Sequence, residues 1–146
     1  MSSPAVMNDE KQMDQLLNEQ SGLSGVSGIS ADIRKLLRSK GGRAELAVNL
    51  YCYRARKYLG AYLAVLGGTN AVVFGGGVGE NIPVVREKIL AGMEWCGISI
   101  DARKNSDANG MSCISSETSQ VEVWVVPVNE AAILAQEAEA VISNNS

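Results

Sequence analysis

The chain has 146 residues, enough for one domain with a modest core, and its composition, 46% hydrophobic and 20% charged, excludes a disordered polymer. A net charge of −3 offers no basic field to nucleic acid, and no apolar stretch is long and uninterrupted enough to span a bilayer. The sequence contains no histidine, so any chemistry must rest on carboxylates, cations and backbone dipoles.

Residues 1–8 read as a disordered lead, and the polar stretch up to Gln20 lacks the apolar core of a signal peptide, which points to the cytoplasm. Residues 9–18, with Met13, Leu16 and Leu17 clustered, predict a short helix. Residues 21–28 alternate glycine and serine and predict a loop. Ser30 is a candidate N-cap for a helical turn over 31–38, which Lys40, Gly41 and Gly42 end. The longest predicted helix covers 43–66. Ala47, Tyr51, Ala55, Tyr58, Tyr62 and Val65 recur on it at spacings of three and four, marking a face turned to a core or a partner. Arg54, Arg56 and Lys57 form a solvated face, and Gly67 and Gly68 supply the stop.

Residues 71–74 are uniformly apolar and predict a strand buried on both faces, as in parallel sheets. A glycine-rich turn follows, and Pro83 then sits in the first turn of a helix with Val85, Ile89 and Met93 as its apolar stripe. Residues 98–100 and 111–114 read as short strands around an exposed polar stretch, 101–110. Residues 121–126 are a strong strand, closed by Pro127. Asn129 opens a last helix through Ile142, and 143–146 are a polar tail. The fold class is α/β, but 71–74 and 121–126 are the only convincing core strands, a sheet too thin to stand alone. The three cysteines, Cys52, Cys96 and Cys113, have no disulfide or zinc spacing and read as reduced packing residues, as do Trp95 and Trp124 for packing.

Three segments could carry chemistry. The turn from Phe74 to Asn81 follows a strand and precedes a helix, where glycines reach positive φ and let a phosphate approach the backbone. Neither GxGxxG nor a Walker A ending fits it, and a tight turn without ligand is the competing reading. Glu130, just past the strand 121–126, suits either Mg²⁺ or the dipole of the helix it opens. Asp32 and Arg34 are either a phosphate- and base-contacting pair or a solvated surface pair.

Four stretches then resemble, in order and spacing, the C-terminal part of the acetate kinase family: residues 16–23, residues 26–34, the turn from Phe74 through Gly77, Val78, Gly79, Glu80 and Asn81, and residues 125–130. The resemblance extends from about Leu16 to Ile142. It implies a partial actin-like ATPase (ribonuclease H-like) domain over 9–142, an incomplete parallel or mixed sheet packed by helices. It also implies reversible phosphoryl transfer from ATP to acetate, giving acetyl phosphate and ADP, in a homodimer. By the same resemblance Asp32, Ile33, Arg34 and Gly77, Val78, Gly79, Glu80 and Asn81 contact the nucleotide, and Glu130 is associated with Mg²⁺. The family's N-terminal phosphate-binding strands, acyl-substrate arginines and active-site histidine belong upstream of the matched motifs, so this chain alone is expected to be inactive. Gly75 and Gly76 stand where a Thr-Ala pair is more usual. A nucleotide-binding or dimerisation module without catalysis, and a propionate or butyrate kinase, are the alternatives.

Overall fold

The computed structural model describes residues 21–128. Within that span the residues divide into two compact units, 21–68 together with 88–91, and 69–87 together with 92–128.

The first unit is helical: α1 (Gly22–Ser27), α2 (Ile33–Arg38) and α3 (Gly42–Leu66). The loop expected over 21–28 is instead α1. Leu23 is the one strong helix former among these six residues, beside two glycines, two serines and a valine, so tertiary and capping contacts decide the outcome. Gly28 closes the helix in the left-handed region (φ 65°), its N–H donating to Ser24 O at 2.7 Å. The buried Ser27 hydroxyl accepts from Ile29 N and Ser30 N at 3.0 and 3.2 Å. Arg43 Nε donates to Val26 O at 3.2 Å.

The cap of α2 is Asp32, two residues later than Ser30, which instead accepts from Asp32 N at 3.0 Å. Helix α3 runs as expected and stops at Gly67 (φ 71°). Its buried face shares only Ala47 with the expected stripe. Ala44, Ala47, Val48 and Cys52 are buried, whereas Tyr58, Tyr62 and Val65 are 59%, 64% and 82% exposed. Small residues at 44, 47, 48 and 52 let α1 and α2 pack closely, and the tyrosine stripe looks outward. Arg56 is not simply solvated: it donates to the carbonyls of Ile89 (2.9 Å) and Lys88, at the end of α5 (Pro83–Leu90).

The second unit holds a three-stranded mixed sheet in the order β1-β3-β2, with β1 Ala71–Phe74, β2 Ser112–Cys113 and β3 Glu122–Val125. β1 and β3 run parallel, Val72 opposite Val123 and Phe74 opposite Val125; β2 pairs antiparallel with β3. In β3, Val123 and Val125 face inward (0% and 2% exposed). β1 was expected to be buried on both faces, but only Val72 is buried and Val73 is 60% exposed, because among the described residues nothing covers the face of the sheet that Val73 lies on. The strand expected at 98–100 reduces to a single bridge, Ile100 to Ser115. The polar stretch 101–110 contains a helix, α6 (Ala102–Asp107), whose cap Asp101 accepts from Lys104 N at 2.8 Å. Trp95, expected to pack, is 79% exposed. The helix expected after Asn129 lies outside the described residues.

Candidate functional site: the glycine turn

The turn begins where β1 ends. Phe74 O accepts from Val126 N at 2.9 Å, continuing the parallel ladder one step beyond β3. Gly75 is extended, and Gly76 stands at φ +70°, a conformation side chains with a Cβ rarely adopt. The chain then winds into α4 (Gly76–Asn81), so the expected open turn is a short helical one. A Cβ on Gly75 would meet Val128 Cγ2 at 2.9 Å, and one on Gly79 would lie 3.4 Å from Phe74. Around Gly76 and Gly77 there is open space. Among the described residues, therefore, no side chain stands against the backbone of Gly76 or Gly77.

Polar side chains hold the turn from behind. Glu80 Oε1 accepts from Gly76 N at 2.9 Å and from Val128 N at 2.7 Å, tying the start of the turn to the segment leaving β3. Asn81 Nδ2 donates to Gly77 O at 3.1 Å. Ile82 N donates to Val78 O at 3.1 Å, which leaves the next two carbonyls without partners in the helix. Arg86 supplies them: Nη1 donates to Gly79 O and Glu80 O at 2.7 and 2.8 Å. Its Nε and Nη2 donate to Asn105 Oδ1 and Asn105 O, both at 2.7 Å, and Asn105 Nδ2 donates to Pro83 O at 3.1 Å.

Arg86 is completely buried and Asn105 is 3% exposed. Among the described residues no carboxylate pairs with the guanidinium, and burial holds its pKa below the ordinary arginine value. A buried cation is tolerable here because oxygens fill its hydrogen-bonding fork; each such charged hydrogen bond is worth about 1.5–3 kcal/mol. The residue reading of the sequence did not single out Arg86 or Asn105.

Gly77, Val78, Gly79, Glu80 and Asn81 are thus gathered into one turn, though Glu80 supports the backbone rather than pointing at a ligand. Asp32, Ile33 and Arg34 belong to the other unit. Asp32 Oδ1 accepts from Arg34 N at 2.9 Å and pairs with Arg34 Nε at 3.4 Å. The backbone hydrogen bond from Arg34 is the main cause that holds the Asp32 pKa below its ordinary value. The Arg34 side chain is 66% exposed, while Ile33 is buried in the core. An apolar groove of ≈ 600 Å³ in the same unit, lined by Leu23, Val26, Ala47 and Tyr51 among others, contains none of these residues.

Glu130 lies outside the described residues. Among the described residues no group of three or more histidine, cysteine, aspartate or glutamate side chains could hold a metal ion, and Glu80 Oε1 is already committed to two amides. The described side chains therefore do not form a resident metal site.

The acetokinase family model matches residues 5–136. The acetate kinase of Chloroherpeton thalassium is 44% identical over 131 residues, 86% of this chain and 31% of that protein. The crystal structure of Porphyromonas gingivalis acetate kinase superposes with a TM-score of 0.80 at 39% identity, covering 92% of this chain and 35% of that one. A propionate kinase from Francisella tularensis superposes with a TM-score of 0.77 at 31% identity, over 88% of this chain and 33% of that one. The chain spans about a third of the length of the curated relatives it matches. The small mixed sheet is a partial form of the actin-like ATPase fold of the acetate kinases. With 132 of its residues, 5 through 136, matched by one family model, the chain belongs to the acetokinase family.

Proposed function

We propose that this chain is the nucleotide-binding C-terminal portion, over 9–142, of an acetate kinase that transfers the γ-phosphoryl group of ATP reversibly to acetate, giving acetyl phosphate and ADP. The observation that carries this reading is the turn leaving β1. No described side chain crowds its backbone at Gly76 and Gly77, and Glu80 and Arg86 hold it from the protein side. Phosphoryl transfer asks the protein chiefly for positioning and charge neutralisation. In this reading Gly77, Val78, Gly79, Glu80 and Asn81 position the nucleotide, together with the Asp32, Ile33 and Arg34 segment. Glu130 is the residue proposed to hold Mg²⁺, which would supply neutralisation of phosphate charge. The chain contains no histidine and spans about a third of the length of its curated relatives, and in this reading turnover needs the rest of that fold. The exposed stripe Tyr58, Tyr62 and Val65 supports the homodimer, and the cytoplasm is the proposed location.

Calorimetry with MgATP and a hydroxamate assay with ATP, Mg²⁺ and acetate test the reading. Nucleotide binding without acetyl phosphate formation is expected. Turnover by the chain alone overturns the claim of inactivity, and no heat of binding overturns the nucleotide site. The propionate kinase neighbour favours a second reading, in which propionate is the acceptor; the same assay on an enzyme completed with the rest of the fold separates the acids.

A further inference from the structure

We propose that Arg86, held in place by Asn105, is a positioning residue that sets the backbone of the glycine turn for its ligand. The proposal rests on the nucleotide reading of that turn for its functional half only. Three observations carry it. Arg86 is fully buried, and every hydrogen bond it makes among the described residues goes to a neutral acceptor. Two of those acceptors, Gly79 O and Glu80 O, are the carbonyls that the short helix α4 leaves without helical partners. The other two both belong to Asn105, on α6, an element outside the turn.

The far end of the turn is thereby fixed as firmly as its start. Glu80 Oε1 fixes the Gly76 N–H, and Arg86 fixes the Gly79 and Glu80 carbonyls. Between these two anchors lie the glycines, which have no side chain of their own to hold the backbone. Asn105 fixes the guanidinium plane by accepting from two of its nitrogens, and it anchors itself by donating to Pro83 O. A lysine at 86 keeps the charge and loses the fork, because one ammonium cannot span four acceptors in a plane. Arg86 acts through the backbone and need not touch the ligand.

The test uses the whole chain with the substitutions Asn105→Ala and Arg86→Lys. Two quantities are measured: residue-resolved amide hydrogen exchange over 76–82 against that of Val123 and Val125, and MgATP affinity. The expected result is exchange about tenfold faster at the turn in both variants, with the β3 amides unchanged, and MgATP bound about tenfold more weakly. Exchange that rises equally in the turn and in β3 marks a general loss of stability and overturns the proposal, as does unchanged exchange at the turn. Asn105→Ala keeps the measurement decisive if Arg86→Lys does not fold. If the unsubstituted chain binds no MgATP while the turn loosens as expected, the nucleotide reading falls and the positioning of the turn by Arg86 stands.

Discussion

Replacing Gly76 with alanine isolates backbone strain from packing. Gly76 sits at φ +70°, and a Cβ built there meets nothing within 4 Å, so the substitution adds no clash. An L-residue in the left-handed region costs about 1–2 kcal/mol. Alanine also narrows the unfolded ensemble, which returns about 0.4–1 kcal/mol. The net expectation is a loss of about 1 kcal/mol, or a fall of about 4 °C in melting temperature for a chain of this size. Gly77→Ala is the matched control: it is one residue on, equally open, and not at positive φ. In a helical position alanine is favoured over glycine by about 1 kcal/mol, so this variant should melt at or above the parent. Gly75→Ala has the opposite character, a clash of 2.9 Å with Val128 Cγ2 at ordinary φ. Val128 is 43% exposed and has room to turn, so a smaller loss than for Gly76→Ala is expected. Thermal and urea unfolding of the three variants side by side give the answer. A Gly76→Ala variant as stable as Gly77→Ala would refute the left-handed conformation and the account of the turn built on it.

Glu80→Ala removes the acceptor shared by Gly76 N and Val128 N and should cost about 1–3 kcal/mol, whereas Glu80→Gln keeps an acceptor oxygen and should cost less; urea unfolding compares them. Asp32→Asn should keep the α2 cap and Asp32→Ala should lose it, read as a difference in melting temperature. Because the folded pKa of Asp32 lies below its ordinary 3.8, its contribution is present above that value and is lost as pH falls below it toward the folded pKa. Asp32→Ala should flatten that part of an acid-unfolding curve. In thiol labelling at mildly alkaline pH, exposed Cys113 should react fast and buried Cys52 slowly, since desolvation pushes the Cys52 thiol pKa up; equal rates would contradict the burial of α3's inner face.

The elements that were legible in the sequence are those whose signal is local. The long helix with its glycine stop, the strand pair 71–74 and 121–126, and Pro83 at a helix start each follow from periodicity, propensity or a fixed φ. What was not legible depends on partners distant in sequence. Helix α1 forms from Gly22-Leu23-Ser24-Gly25 because Ser27, Gly28 and Arg43 cap it, and propensity alone gives the opposite answer. The tyrosine stripe of α3 has textural periodicity but no sign of direction, since a helical face turned to a core and one turned outward read alike. Arg86 did have a signal. The helical wheel that groups Val85, Ile89 and Met93 puts residue 86 beside them, so an arginine there is a charge placed on an apolar face. Its partner Asn105 had none, being one polar residue in a polar stretch.

The hydrogen bonds of Glu80 and Arg86 also bear on Gly75 and Gly76, where the family resemblance leads one to expect a Thr-Ala pair. Glu80 and Arg86 hold the turn through main-chain groups: the N–H of residue 76 and the carbonyls of 79 and 80. Any residue at 75 or 76 other than proline supplies the same N–H, so the exchange leaves every partner of these hydrogen bonds in place. In this chain glycine carries the φ of +70° at residue 76 without strain, and Val128 stands where a Cβ at residue 75 would point. Position is thus set from behind by Glu80, Arg86 and Asn105, while no described side chain stands against the backbone of Gly76 or Gly77. A turn built this way keeps the main-chain partners of Glu80 and Arg86 whatever side chain stands at 75 or 76, but it cannot lose Arg86 without releasing two part-buried carbonyls.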